Sequence, residues 1–196
     1  LGLQETWRDC DQWPLHLKDY QIFESVAARR RRNNNGAVGE RQSENGLALI
    51  IHKALVAYEF CSPSPYLTGV RVMMGTHEWY VINLYLPSRG DARRAALGAV
   101  REAVRAVFAR DGSARLLLLG DWNTDKEGLA RLLRRWRQLL SVVKCCGNSA
   151  TFRGTRTWTS IDHMVVSSEA RTLMLGAKVN RSWDLSDHWP LESRIR

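Results

Sequence analysis

The sequence predicts an α/β fold in which layers of sheet and helix pack against one another. Strand-sized apolar runs occupy the beginning and the end of the chain, and two helix-like stretches lie between them. The run of four leucines at 116–119 does not alternate with polar residues, which is typical of a strand covered on both faces. A chain of 196 residues can bury a substantial core, and we predict a single domain over 1–196.

The strand predictions rest on short apolar runs bounded by polar or turn residues. In chain order, the predicted strands are 1–5, 47–51, 54–60, 70–74, 79–85, the 115–123 stretch, 161–167, 177–180 and 191–195. The polar segment 29–46 begins with four arginines and separates the first two strands, so we predict an exposed loop insertion there. It is either a solvated insertion or a loop that contacts DNA.

Two helices are predicted between the strands. The first runs from Asp91 to Arg110, because its apolar residues recur at helical spacing on one face. Asp91 is the expected N-cap and Gly112 the expected stop. The second covers 126–140, with leucines on its inner face and arginines on its outer face.

Composition limits the classes of function. The net charge of +9 comes from 29 basic and 20 acidic residues, and arginine suits a partner whose phosphates accept bidentate hydrogen bonds. No apolar run is long enough to span a membrane. The four cysteines match neither a zinc site nor a disulfide framework, which favours a reducing compartment: the nucleus or cytoplasm, with the mitochondrion as an alternative.

Polar side chains recur where the predicted strands end, at positions that a buried strand would fill with apolar residues. They are Glu5, Asp121 with Asn123, Asp162, and Asp187 with His188. Each alone could be a turn, a helix cap or a structural histidine. Their recurrence at strand ends, where sites assemble in layered α/β proteins, favours a functional site.

The residue types in this set indicate a reaction class. Carboxylates without cysteine or several histidines suit a hard divalent cation, Mg²⁺ or Mn²⁺. A carboxylate beside an amide can orient and deprotonate water, and a histidine held by a carboxylate can hydrogen-bond a charged oxygen. Together with the basic charge, these groups predict hydrolysis of phosphodiester bonds in nucleic acid.

Six stretches resemble the endonuclease/exonuclease/phosphatase superfamily, and most of all the apurinic-endonuclease-like domain of non-LTR retrotransposons. They are LQET (3–6), NGLALIIHK (45–53), VINLYLPS (81–88), LLLLGDWN (116–123), TSIDHMVVSS (159–168) and LSDHWPL (185–191). The resemblance implies a four-layer α/β sandwich of two mixed sheets flanked by helices. It also implies an Mg²⁺-dependent endonuclease that nicks DNA and leaves a 3′-hydroxyl for a reverse transcriptase domain in the same polypeptide or nucleoprotein assembly.

The resemblance also implies roles for individual residues. Glu5 and Asp187 would lie at the metal, and Asp121 would activate the attacking water beside Asn123. His188, held by Asp162, would stabilise the pentacovalent phosphate, and Tyr85 would help to position it. The resemblance implies a substrate contact for Thr151, and we also predict substrate contacts for Arg153, Arg156 and Ser160.

One departure from the family concerns its first core strand, which carries an asparagine and has no counterpart in residues 1–25. We therefore expect an N-terminally incomplete domain, with the strand supplied by an earlier segment or another chain. This departure motivates an alternative function, a family-derived nucleic-acid-binding or structural component of a nucleoprotein assembly with little catalysis. A small-molecule phosphatase is a weaker third hypothesis.

Overall fold

The structure is a computed structural model that describes residues 1–4, 17–25, 28–29, 43–44, 46–61, 64–145, 150–155, 157–182 and 186–196. Glu5, Arg156 and most of the predicted insertion at 29–46 lie outside the described residues.

The described elements alternate strands with three helices. In chain order the strands are β1 (Gly2–Leu3), β2 (Tyr20–Glu24), β3 (Ala28–Arg29), β4 (Ser43–Glu44), β5 (Ala48–His52), β6 (Ala57–Glu59), β7 (Leu67–Met74), β8 (His77–Tyr85), β9 (Arg115–Asp121), β10 (Leu140–Val142), β11 (Phe152–Arg153), β12 (Trp158–Thr159), β13 (Asp162–Ser167), β14 (Met174–Val179) and β15 (Leu191–Ile195). The helices are α1 (Gly90–Arg110), α2 (Lys126–Leu133) and α3 (Ser168–Arg171).

A six-stranded mixed sheet in the order β10-β13-β9-β8-β7-β6 forms the centre of the fold. Its β8–β9 pair is parallel and its other pairs are antiparallel. Alternation along β9 directs Leu116 and Leu118 into the core beneath α1 and α2, whereas Leu117 enters a second core with Leu49 of β5. Both faces of the sheet are thus covered, as the run of leucines predicts, and the predicted α/β sandwich is confirmed.

The layer opposite the helices consists of two separate pieces in the described part of the chain. One is a three-stranded sheet in the order β1-β5-β2, and the other is the β14–β15 pair. An apolar groove of about 890 Å³ lies between them, with Leu49, Leu117 and Leu119 among its lining residues. Among the described strands, β1 pairs only with β5 and β15 only with β14.

The helix boundaries differ from the prediction in two places. The N-cap of α1 is Arg89, so the predicted cap Asp91 instead lies in the first turn, where it accepts a hydrogen bond from Arg94. The second helix ends at Leu133 and continues only as a 3-10 turn over Arg134–Trp136. It cannot extend to 140 because Leu140 begins β10 and pairs with β13. None of the described helices combines the length and apolarity required to cross a membrane.

Candidate active site

Two of the predicted acids lie opposite each other at one end of the central sheet. Asp121 ends β9, Asp162 begins β13, and the antiparallel register makes them direct partners. Tyr85 is the parallel partner of Asp121 on β8, so three predicted site residues meet at this edge. The preceding Gly120 has a φ of 138°, and a Cβ there would lie 2.0 Å from the carbonyl oxygen of Leu84. Only glycine allows this close approach, which aligns the ends of β8 and β9.

Asn123 fixes the carboxylate of Asp121. Its backbone N–H donates to Asp121 Oδ1 at 2.7 Å, and its side-chain Nδ2 donates to Oδ2 at 3.0 Å. Asn123 has a φ of 45°, a left-handed conformation that asparagine tolerates better than most residues. Because both carboxylate oxygens accept a hydrogen bond from one residue, the orientation of the buried Asp121 is defined.

His188 lies beside the acidic pair and contacts Asp162. The Nδ1 atom of His188 is 2.9 Å from Asp162 Oδ2, and the Phe152 ring packs against the imidazole at 4.8 Å between centroids. Burial lowers the pKa of His188, but the hydrogen bond to Asp162 and the charges of Asp162, Asp121 and Asp187 outweigh it and raise the pKa to about 9. In the metal-free protein the imidazole is therefore a cation at neutral pH, with Nε2–H free of the Asp162 contact and able to donate.

The donor set fits a hard divalent cation. One potential ligand atom each from Asp121, Asp162 and His188 lies within 4.8 Å of the others. We expect carboxylates rather than His188 to hold an ion, since the imidazole is protonated and hydrogen-bonded to Asp162. A cavity of about 440 Å³ opens at this site and is lined by Asp162, His188 and Gln4, the residue before the predicted ligand Glu5.

The predicted substrate residue Thr151 lies beneath the site. It is 1% exposed, and its hydroxyl oxygen accepts hydrogen bonds from the amides of Ile161 at 3.2 Å and Asp162 at 3.1 Å. Its own carbonyl accepts from the amide of Trp189 at 2.7 Å. This geometry favours a positioning role for Thr151 toward Asp162 and the His188 segment, whereas the substrate contact that the resemblance implies stays a prediction.

The remaining predicted residues surround this centre. Asp187 is exposed, adjoins His188, and accepts a hydrogen bond through its carbonyl from the amide of Arg153 at 2.7 Å. Arg153 is exposed on the β11–β12 hairpin, and half-buried Ser160 follows that hairpin.

Two residues that shape the site have no role assigned from the sequence alone. Asn83, fully buried on β8, donates to the carbonyl oxygens of Leu3 at 2.7 Å and Ala48 at 3.1 Å, and thereby ties the central sheet to β1 and β5. Arg93 of α1 donates to the carbonyl oxygens of Pro87 at 2.7 Å and Trp122 at 3.3 Å, which ties together the segments after β8 and β9. An asparagine inside the apolar run VINLYL was the available signal for Asn83.

Comparison with known proteins agrees with the geometry. Residues 1–188 match the model of the endonuclease/exonuclease/phosphatase family, whereas no curated protein matches the chain significantly. The endonuclease domain of TRAS1, a telomere-specific non-LTR retrotransposon, superposes with a TM-score of 0.70 at 18% identity, covering 91% of this chain and 79% of that one.

Two further solved structures have the same architecture. The 3′ phosphatase NExo from Neisseria, bound to a product DNA hairpin, has a TM-score of 0.67 at 20% identity, covering 100% of this chain and 88% of that chain. The AP endonuclease LMAP from Leishmania major has a TM-score of 0.69 at 13% identity, with 100% and 77% covered. These likenesses establish the sandwich fold.

Proposed function

This chain belongs to the endonuclease/exonuclease/phosphatase family, and we propose that it is a metal-dependent endonuclease that nicks DNA and leaves a 3′-hydroxyl. The observation that carries the proposal is the meeting of Asp121, held by Asn123, with the Asp162–His188 pair at one edge of the central sheet. A fixed carboxylate and a cationic hydrogen-bond donor face the same small volume, which is the arrangement that hydrolysis of a phosphate diester requires.

Each described residue has a defined part in the reaction. Asp121 orients a water molecule and accepts its proton while the water oxygen forms the new bond to phosphorus. The bond from phosphorus to the 3′-oxygen breaks, and that oxygen takes a proton from solvent, which leaves a 3′-hydroxyl and a 5′-phosphate. His188 donates a hydrogen bond from Nε2 to a phosphate oxygen as charge builds up, and Asp162 holds the imidazole through Nδ1.

A divalent cation, Mg²⁺ or Mn²⁺, completes the proposal. Glu5 and Asp187 would hold it, and when bound it would polarise the phosphate and neutralise its charge. The contribution of the described residues is to orient the carboxylates, since Asn123 donates to both oxygens of Asp121 and His188 contacts Asp162.

DNA is the proposed partner. The net charge of +9 favours a polyanion, and the exposed Arg153 lies on the hairpin next to Asp187 and His188. A reverse transcriptase domain in the same polypeptide or assembly is the proposed user of the 3′-hydroxyl.

Nicking of supercoiled plasmid in the presence of Mg²⁺ tests the proposal. We expect relaxed circles from the unmodified protein, no nicking in EDTA, and a loss of at least about 1,000-fold in Asp121→Ala and His188→Ala, since each removes a group needed in the transition state. Arg137→Ala, which removes an exposed arginine from the segment after α2, is the control and should nick normally. Nicking that persists in both site variants would contradict the residue assignment.

The same proteins distinguish the proposed endonuclease from the alternative, a nucleic-acid-binding component without catalysis. It predicts that the unmodified protein shifts DNA in a gel at about the same concentration as Asp121→Ala and that neither nicks the plasmid with Mg²⁺ or Mn²⁺.

A further inference from the structure

An aromatic cluster with one exposed and one buried tryptophan lies next to the candidate active site. The rings of Trp158 and Trp189 are 4.7 Å apart between centroids, at an interplanar angle of 43°. The guanidinium carbon of Arg181 lies 5.2 Å from the Trp158 ring and 5.0 Å from the Trp189 ring. These three residues, from three separate segments, form what we call the tryptophan platform.

The platform is fixed to the active site by the backbone. Trp189 directly follows His188, and its amide donates to the carbonyl of Thr151 at 2.7 Å. Trp158 pairs with Arg153 across the β11–β12 hairpin, and the Arg153 amide donates to the carbonyl of Asp187 at 2.7 Å. A ligand on the platform therefore lies within about one or two strand spacings, roughly 5–10 Å, of the residues proposed to act on phosphate.

Arg181 is also held in place. The neighbouring Asn180 donates from its backbone to the carbonyl of Pro190 at 2.8 Å and from its side chain to Glu192 at 2.6 Å. Its Oδ1 atom accepts from the amide and hydroxyl of Ser182 at 3.0 and 2.6 Å. The turn that carries Arg181 is thereby anchored beside Trp189 before any ligand arrives.

The two tryptophans have different surroundings. Trp189 is 6% exposed, so burial of its ring accounts for its presence, whereas Trp158 is 55% exposed. A tryptophan more than half in water contributes little to folding through burial, but its ring offers a stacking surface backed by a second ring and a cation. Nucleobases stack on such surfaces regardless of sequence, because every base has a π face.

We propose that the tryptophan platform binds an unpaired nucleobase of the nucleic-acid strand, with Trp158 as the stacking surface. This inference rests on the proposed function, because it places the base near the phosphate that is to be hydrolysed. It predicts a preference for single-stranded or locally opened DNA over perfect duplex, since a base inside a duplex presents its faces only to its neighbours.

Measuring DNA binding under conditions that prevent catalysis tests this inference. The probe is a single-stranded DNA oligonucleotide of mixed sequence that contains 2-aminopurine, titrated in EDTA so that no strand is cut, and compared with the duplex of the same sequence. We expect quenching of 2-aminopurine fluorescence on the single strand and weaker quenching on the duplex. Trp158→Leu keeps an apolar side chain but removes the aromatic face, and should raise the Kd for the single strand about tenfold, whereas Trp158→Phe should raise it about threefold or less.

The chain offers a matched control in Tyr58. It is 57% exposed and has Arg71 over its ring at 5.7 Å, but it lies on β6 at the far edge of the central sheet. Tyr58→Leu should leave the Kd within about twofold of the unmodified value. Thermal unfolding of both leucine variants shows whether either has lost its fold, and the quenching by the unmodified protein does not depend on any variant.

The inference is overturned if Trp158→Leu binds the single strand as tightly as the unmodified protein, or if it loses no more affinity than Tyr58→Leu. Failure of the proposed function is distinguishable from this result. A protein that never nicks plasmid but loses affinity in Trp158→Leu would retain the platform as a binding site. A protein that nicks through Asp121 with unchanged affinity in Trp158→Leu would retain the endonuclease function and lose the platform.

Discussion

Asp162 Oδ2 and His188 Nδ1 lie 2.9 Å apart, and this contact joins the central sheet to the segment that leads into β15. The two residues are 26 positions apart in sequence, and Asp162 begins β13 of the central sheet whereas His188 precedes β15. The same contact keeps a proton on Nδ1, because Nδ1 faces a carboxylate, and in the cation Nε2 carries a proton as well.

The charge state of His188 can be measured in the metal-free protein. Its pKa is raised from 6.5 to about 9, against the opposing effect of burial, chiefly by the hydrogen bond to Asp162. The stability that this interaction contributes is therefore fully present below pH 6.5 and is lost as the pH rises through about 9. NMR titration of the His188 ring should give a value near 9, and Asp162→Asn should return it toward 6.5.

Asp187→Asn is the control for that titration. It removes a neighbouring charge but not the hydrogen bond, so the pKa of His188 should fall less than in Asp162→Asn. A pKa near 6.5 in the unmodified metal-free protein would show that the 2.9 Å contact does not form in solution.

The side chain of Asn123 should matter for activity separately from its backbone. Asn123→Gly tolerates the φ of 45° and keeps the backbone donor to Asp121, but it loses the Nδ2 hydrogen bond. A hydrogen bond to a charged group contributes about 1.5–3 kcal/mol, so plasmid nicking should slow by about 10- to 100-fold.

Asn123→Ala separates this effect from backbone strain. It loses the same hydrogen bond as Asn123→Gly but keeps a Cβ in the left-handed region without the asparagine side chain that tolerates it. Compared with Asn123→Gly, the free energy of unfolding in urea should therefore be lower by a further ~1–2 kcal/mol. Equal nicking by Asn123→Gly and the unmodified protein would mean that Asp121 is oriented by other groups.

Thr151 should affect nicking by positioning Asp162 and not by contacting the substrate. Thr151→Val preserves shape but leaves the amides of Ile161 and Asp162 without their acceptor, which should lower the free energy of unfolding by about 1–3 kcal/mol. Nicking kinetics should show a lower kcat with little change in KM, and Thr151→Ser should restore both kcat and stability. A raised KM with unchanged stability would instead support the substrate contact that the family resemblance implies.

The thiol of Cys61 should be inert. Burial, with a smaller effect from the charge of Glu59, raises its pKa to about 12. Iodoacetamide reacts with the thiolate, so the Cys61 peptide should remain largely unmodified at pH 8 in the folded protein and react fully in urea, as measured by mass spectrometry. Glu59→Gln should speed the folded-state reaction modestly, and equal rates with and without urea would contradict the raised pKa.

Local sequence patterns determined most of the central sheet and its site. The run 115–121 predicts a buried strand because both of its faces are apolar, and an acid at its end signals a transition from core to site. The pairing of Asp121 with Asp162 follows from the antiparallel neighbours β9 and β13. The resemblance implies that both residues belong to one site, but the strand pairing that brings them together is a long-range contact that only the structure supplies.

The features that sequence patterns missed depend on tertiary contacts. Residues 134–140 have helical periodicity, yet Leu140 pairs with β13, so the sheet overrides the local preference. The sequence does not predict β2, because apolar and polar residues alternate only weakly along it. Its strand conformation depends on pairing with β5. Trp158 and Arg181 lie outside the recognised motifs, and Trp189 lies within LSDHWPL. Nothing in the linear sequence brings these three residues together.

The groove between β1 and the β14–β15 pair also affects how the active site is held together. Asp121 and Asp162 are carried by the central sheet, whereas His188 precedes β15, which borders the groove on the other side. The groove and the active-site cavity share Leu1, Gly2 and Leu191 as lining residues. The alignment of the Asp162 carboxylate with the His188 imidazole therefore depends on the spacing between the central sheet and the β14–β15 pair. A change in this spacing is therefore expected to impair the proposed nicking activity without unfolding the protein.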